Sequence, residues 1–322
     1  MISRLFRGAL GLLANNALVV SIVLLAAAFV SFEDTFFTLR NIAALFDQSA
    51  VFAVLAVGAT FGIISRNIDI APASVIALGT VVVALVVQAG HGFALGLLFG
   101  GAATIAIYLA HGALVGWLDL DPLIVTLAAW IWARGLAVSL TNATTISFNV
   151  PFVTFMDAPL AFGLTPSTVC AALAFVGGAL VLRQTRIGMN AFALGCDAKL
   201  LSQAGVNPAM AKLMVFATMG VTTAIGMALM IARTGAAAPT AGFGLELDAI
   251  VAVIIGGTSF QGGSGRMLNT VYGVAFIAVL DNGLTGLQMG DPEFLLLKGA
   301  AILVALLVDV GGRHVLGQRP RS

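Results

Sequence analysis

The chain has 322 residues, 60% of them hydrophobic and only 9% charged, with a mean hydropathy of +1.08. A soluble domain carries about 25% charged residues, so this is a polytopic membrane protein with no room for a separate soluble domain. A net charge of +1 argues against an extended nucleic-acid surface. Cys170, Cys196, His91, His111 and His314 are scattered and form no metal-ligand spacing.

Arg4 and Arg7 precede an apolar run, Ala17–Phe32, closed by Glu33 and Asp34. With Ala26-Ala27-Ala28 near its end, this run has the outline of a signal peptide. Many spans follow it, so an uncleaved first helix is the simpler reading. A span needs about 20 apolar residues. Ten are predicted: 14–32, 41–64, 70–89, 93–116, 122–141, 163–182, 211–232, 247–260, 268–287 and 294–310. The eighth is short. Gly90–Gly92 and Leu118–Pro122 are helical-hairpin joints. Two connections are longer: Asn142–Phe162, and Arg183–Ala211 between the two halves.

Ten spans put both termini on one side. Loop Lys and Arg set which side. With the termini in the cytoplasm, eleven of the fifteen Lys and Arg fall there: Arg4, Arg7, Arg66, Arg183, Arg186, Lys199, Lys212, Arg266, Arg313, Arg319 and Arg321. Arg40, Arg134, Arg233 and Lys298 remain outside or within spans. The fold class expected is therefore an all-α polytopic membrane protein of about ten transmembrane helices, both termini cytoplasmic. One transmembrane domain covers 1–312, and 313–322 is a basic cytoplasmic tail.

Two polar interruptions echo each other. SRNIDIAPASVIALGT, residues 65–80, follows span two. ARTGAAAPTAGFGLELDAIVAVIIGGT, residues 232–258, follows span seven. Each has a basic residue, a Pro-bearing break, an Asp, and an apolar run closing in Gly-Thr. On the predicted topology the two face opposite sides, as inverted repeats would. Irregular backbone at membrane depth survives only where it is buried in protein or lines a cavity. Broken helices of this kind point to a transporter pathway.

Chemistry-bearing motifs are absent. Gly257–Ser264 lacks the Lys of a phosphate-binding loop, and no HExxH, GxSxG or Ser/His/Asp set appears. No catalytic residue, metal site or cofactor is expected. Asp47, Arg134 and Asp281 are the ionisable groups within spans. For Asp47 and Arg134 a snorkelling or paired group near a helix end is the preferred reading. Asp281 reads equally as a pore-facing or hinge position and as a structural one. Asp69 and Asp248 look like first-turn residues of spans three and eight, complementing free N–H groups and the helix dipole. In the Arg183–Ala211 loop, Asp197–Ala204 forms a short helix with Asp197 as N-cap and Gly205 as its stop. Such a helix suits docking to a partner.

At this loop and after span seven the sequence resembles the permease subunits of bacterial sugar importers driven by ATP-binding cassettes. These are the ribose, arabinose, galactose and xylose group, related to branched-chain amino-acid permeases. The likeness rests on TRIGMNAFALG (185–195), AGVN (204–207), LDNGL (280–284) and above all PTAGFGLELDAIVAVIIGGTSFQGGSGR (239–266). In the first half it covers residues 56–80 and Ala133-Arg134-Gly135. The family's glycine-rich GGIDLSVGS-like segment is replaced here by Arg66–Ser74, with glycines lost at Asn67 and Ala73. Cys196-Asp197 stands where Gly-Asn is common, and Asp281 where Asn is common.

The resemblance implies a pore of two permease subunits, identical or paralogous, with cytoplasmic ATPase subunits below and a periplasmic solute-binding protein above. It implies ATPase contact at Gly195, Asp197, Ala204, Gly205 and Asn207. It implies that Asp69, Pro239, Thr240, Gly242, Glu246, Asp248 and Gly257 lie at broken helices near the pathway, with Asp281 beside them. The expected role is an inner-membrane, non-enzymatic subunit importing a monosaccharide or related polyol, ATP hydrolysis residing on the partner. A cargo of branched-chain amino acids or nucleosides, or a stand-alone secondary transporter, are the alternatives.

Overall fold

A computed structural model describes residues 17–31, 35–160 and 163–315, with side chains after 304 described only at 307. The expected stop at Glu33-Asp34, the N-terminal arginines and most of the basic tail lie outside the described residues. The regular secondary structure of the described residues is helical apart from one two-residue ladder. The helices are α1 Ala17–Val30, α2 Leu39–Ile64, α3 Pro72–Gln88, α4 Phe93–Trp117, α5 Pro122–Thr141, α6 Pro151–Met156, α7 Pro166–Gln184, α8 Arg186–Cys196, α9 Ala198–Gln203, α10 Pro208–Thr234, α11 Leu245–Ile255, α12 Met267–Gly286 and α13 Asp291–Val315. The strands are β1 Ile146–Ser147 and β2 Ala236–Ala237, paired antiparallel. Six helices, α2, α4, α5, α7, α10 and α12, are long and apolar enough to cross a membrane, and α1 and α3 are shorter apolar helices. The chain is thus an all-α, multi-pass membrane protein.

Several helix starts follow one rule: a polar cap, then proline at the first helical position, where its missing N–H costs nothing. Asp121 caps α5 by accepting from the Leu123 and Ile124 amides at 2.8 and 3.3 Å. Thr165 caps α7 and Asn207 caps α10 in the same way. The stops differ. α10 ends at left-handed Gly235 and α5 at left-handed Asn142.

In lipid, helices associate through close packing of small residues rather than through exclusion of water. The buried centre obeys this. On α4, Gly96 and Gly100 admit Val83 of α3, while Gly112 and Gly116 admit Leu213, Phe216 and Ala209 of α10. On α5, Ala129, Ala133 and Ala137 are fully buried in one stripe. α2 and α10 run antiparallel through the core: Gly62 faces Met219, Gly58 faces Thr222, Gly226 faces Leu55, and Arg233 donates to the Gln48 carbonyl. Polar links cross the apolar interior. The Thr60 and Thr270 hydroxyls join α2 to α12 at 2.8 Å, and the Asn41 and Asn282 amides exchange bonds of 2.8 and 3.2 Å.

The structure corrects some expected boundaries. Residues 183–211 are not a loop with one short helix; most of the segment is helical, as α8 and then α9. Gly188, Ala191, Leu194 and Gly195 form the buried stripe of α8, at the i, i+3, i+6, i+7 spacing of an amphipathic helix. The other long connection is partly ordered as well, with β1 and α6. α11 ends at Ile255, five residues before the predicted end of the eighth span.

Candidate functional site

The two interruptions are real, and both reach the buried middle of the bundle. The first, residues 65–71, leaves the C-terminal end of α2. The second, residues 235–244, leaves the C-terminal end of α10. Because α2 and α10 are antiparallel, the chain enters the two breaks from opposite ends of the bundle.

Asp69 anchors the first break. One carboxylate oxygen accepts from the Ala71 amide at 2.8 Å, two residues into the turn. The other accepts from the Tyr108 hydroxyl at 2.5 Å. Tyr108 is fully buried on α4, about 13 Å along the axis from that helix's end. The expected first-turn role therefore holds only in part: Ala71 occupies the cap position, and Asp69 serves the turn ahead of it. Asn67 is buried and turned back on Ser65, donating to its carbonyl and its hydroxyl at 2.9 Å. Arg66 has a left-handed backbone at φ 60°, and its guanidinium donates to the Gln261 carbonyl.

The second break begins on β2 and passes through Pro239, Thr240, Gly242 and Gly244, both glycines at positive φ. Two of its carbonyls, those of Pro239 and Ala241, accept from one nitrogen of Arg134 at 2.8 and 3.0 Å. At the start of α11, Glu246 is 4% exposed, and the Trp130 indole donates to its Oε1 at 3.0 Å. Gly242 of the second break lies against Ala73, two residues past the first break, and one face of α5 touches both, so the two breaks meet beside Glu246.

α5 holds that centre together. Thr126, Trp130 and Arg134 are spaced four apart and share a face. Thr126 makes long contacts with the first break, 3.4 Å from the Ile70 amide and 3.5 Å from the Ile68 carbonyl. Trp130 and Arg134 hold the second. Arg134 is thus no snorkelling group near a helix end, because it satisfies backbone that the break leaves unpaired. Asp47 is paired as expected, accepting from the Thr165 hydroxyl at 2.5 Å.

Asp248 and Asp281 lead elsewhere. Lys298 of α13 lies 2.7 Å from Asp248 and 2.9 Å from Asp281, with side chains only 13%, 14% and 26% exposed. This buried cluster ties α11 to α12 and α13.

The glycine-rich exit, 256–266, lies at the bundle end that also carries Arg66, Lys199, Lys212 and Arg266. The Gly263 amide donates to the Ile64 carbonyl at 2.8 Å. Gly195, near the end of α8, is wedged between these groups: a Cβ there would collide with the Ile64 carbonyl and the Gly263 amide. Asp197 caps α9 by accepting from the Lys199 amide at 2.8 Å, and Gly205 follows at φ 80°. Asn207 caps α10 by accepting from the Ala209 amide at 2.9 Å, and Ala204 closes α9. A cleft of about 580 Å³ runs past Gly257, Gly263 and Arg266, and a second of about 440 Å³ past Arg66, Asp197 and Lys212. The expected docking residues and the exit of the second break are thus neighbours, while the centre at Glu246 lies beyond α11.

The chain is similar to known transport proteins over most of its length. It is 32% identical over 308 residues to the ribose import permease protein RbsC of Escherichia coli (strain K12), covering 92% of this chain and 94% of that protein. It is 33% identical over 291 residues to the D-allose transport system permease protein AlsC of the same strain, covering 89% of each. It is 32% identical over 308 residues to the galactose/methyl galactoside import permease protein MglC of that strain, covering 89% of this chain and 92% of the relative. No solved structure matches. Residues 41–306, which hold both breaks and the helices between them, match the family model described as "Branched-chain amino acid transport system / permease component", and the chain belongs to that family.

Proposed function

We propose that this chain is the membrane-spanning permease subunit of an ATP-binding cassette importer in a bacterial inner membrane, and that its cargo is a monosaccharide or related polyol. The observation that carries the reading is the meeting of two broken segments, entering from opposite ends, at a buried polar centre around Glu246. Irregular backbone at membrane depth is tolerated where it is buried in protein or lines a cavity, and broken helices of this kind mark transporter pathways. The sugar cargo is supported by the ribose, allose and galactose import permeases among its relatives.

On this reading ten helices cross the membrane: α1 to α5, α7, and α10 to α13. Both termini are cytoplasmic, and the halves are inverted repeats. The basic end faces the cytoplasm, and α8 and α9 receive an ATPase subunit. The exposed Met189 and Leu200 give that surface apolar contacts. A second permease subunit completes the pore, and a periplasmic binding protein delivers the solute. The subunit hydrolyses nothing itself. ATP binding moves α8 and α9, and Gly195 transmits the movement to Gly263. α11 then shifts as a unit and alters the centre at Glu246. Energy thus comes from the partner, and this chain supplies a bistable path.

Proteoliposomes holding this chain, its ATPase and its binding protein test the reading. ATP-dependent uptake of labelled D-ribose, D-allose or D-galactose is the expected result. Uptake that proceeds unchanged without the ATPase overturns it. The family's description names branched-chain amino acids, so leucine is the competitor to include. Leucine uptake in place of sugar uptake reassigns the cargo.

A further inference from the structure

We infer that Glu246 and Arg134, flanked by Trp130, form a hydroxyl-binding subsite for the solute, taking two neighbouring hydroxyls of a neutral polyol. The inference rests on the sugar-importer reading and adds the residues that read the cargo.

Glu246 is almost wholly buried, yet only Oε1 has a donor, the Trp130 indole. Oε2 is closed from solvent and has no partner. On Arg134 one nitrogen serves the two carbonyls of the break, while Nε and Nη2 are buried and unpartnered. A buried group of this kind costs about 1–3 kcal/mol, more when charged. Three such atoms on two residues in electrostatic range of each other, at the meeting point of both breaks, are costly as pure scaffolding. They are what a binding site leaves open for its ligand.

The donor and acceptor pattern narrows the ligand chemistry. A carboxylate oxygen only accepts, and a guanidinium only donates. A hydroxyl does both, so one hydroxyl donates to Glu246 while its neighbour accepts from Arg134. A cation is satisfied by Glu246 but repelled by Arg134, and an anion the reverse. The pair therefore disfavours a simple ion of either sign; a zwitterion's ammonium and carboxylate would also satisfy it, and the sugar-importer reading is what selects the polyol. The indole of Trp130 and the Phe243 ring, with centroids 6.4 Å apart, add apolar surface beside it. Phe243 is 74% exposed, so that surface reaches outward from the break. The closed state of these atoms suits an occluded centre that opens to one side at a time.

The test compares D-ribose with its 2-deoxy, 3-deoxy and 5-deoxy analogues in the proteoliposome assay. All four are supplied at concentrations that saturate the binding protein, so its affinity drops out. In the unaltered complex at least one deoxy analogue is taken up roughly tenfold more slowly, the worth of about 1.4 kcal/mol. In Glu246→Gln the ratio of that analogue to ribose moves toward one, because the Trp130 indole N–H holds the amide oxygen, an NH2 donor replaces Oε2, and the ribose hydroxyl loses its acceptor. Arg134→Lys, which keeps a charge but loses the fork, changes the ratio for the neighbouring analogue. Trp130→Phe keeps the ring and frees Oε1, and shifts the same ratio should Glu246→Gln fail to assemble. A fall in rate for all four sugars with unchanged ratios means a structural role and overturns the inference, as does no change at all. Absence of any sugar uptake by the unaltered complex instead overturns the sugar reading itself.

Discussion

Lys298 shows most sharply what a single residue contributes. Its ammonium sits between Asp248 and Asp281 in a largely buried cluster. Breaking a buried pair by removing one partner costs about 3–5 kcal/mol, because the remaining charges are stranded. Lys298→Met leaves two carboxylates facing each other across α11 and α12. It is expected to lower the melting temperature in detergent markedly. The triple variant Lys298→Met, Asp248→Asn, Asp281→Asn removes every stranded charge and recovers most of that loss. A triple variant no more stable than Lys298→Met contradicts an electrostatic role for the cluster. Arg66 offers a second test. It holds a left-handed backbone, which costs a side-chain-bearing residue about 1–2 kcal/mol. Arg66→Ala keeps that cost and loses the bond to Gln261, whereas Arg66→Gly loses the bond but relaxes the backbone. Arg66→Gly should therefore be the more stable of the two by about 1 kcal/mol in denaturant titration. Equal stabilities would remove backbone strain from this turn.

Among the elements, the ones proposed to carry movement were the hardest to read from sequence. The long helices were legible because apolar runs and cap-proline pairs such as Asp121-Pro122 and Asn207-Pro208 mark them. Both breaks were legible, the first from Arg66, Asp69 and Pro72, the second from Pro239, Gly242 and Gly244. α8 was missed because Gly188 and Gly195 look like helix breakers, although they are there to let backbones touch. The role of α5 was missed for another reason. Trp130 and Arg134 act on backbone and side chains more than a hundred positions away, and only the 126, 130, 134 spacing hints at a polar face. Lys298 was likewise invisible, since its partners come from two other helices. α8 and α9 now separate two effects. Asp197→Ala removes a cap worth about 1 kcal/mol, loosens α9 and should weaken ATPase co-purification. Gly195→Ala forces a Cβ against the backbone of Ile64 and Gly263, which cannot move aside like a flexible side chain. It should leave the ATPase bound but cut transport per ATP hydrolysed. Loss of binding in Gly195→Ala with coupling intact would place the joint between ATPase and pore elsewhere.

For the whole molecule, everything depends on which end faces the cytoplasm. The fold settles which groups share an end: Arg66, Arg266, Lys212 and the α8–α9 segment lie together, and β1, β2 and the Asn41–Asn282 pair lie at the other. On the proposed reading, the excess of Lys and Arg puts the first end in the cytoplasm. The chain carries its own reporter for this. Its two cysteines differ: Cys196 is exposed at the end of α8, and Cys170 is half-buried within apolar α7. A membrane-impermeant maleimide should therefore label Cys196 in inside-out vesicles and leave it untouched in spheroplasts. Cys196→Ser abolishes the signal, which excludes Cys170 as its source. Adding the ATPase subunit to the inside-out vesicles should protect Cys196, because Cys196 is next to Asp197, the cap of the helix proposed to dock it. Labelling from the outer face instead would turn the molecule over. The α8–α9 surface would then lie out of reach of any cytoplasmic ATPase, and the route from Gly195 through Gly263 and α11 to Glu246 would have nothing to drive it.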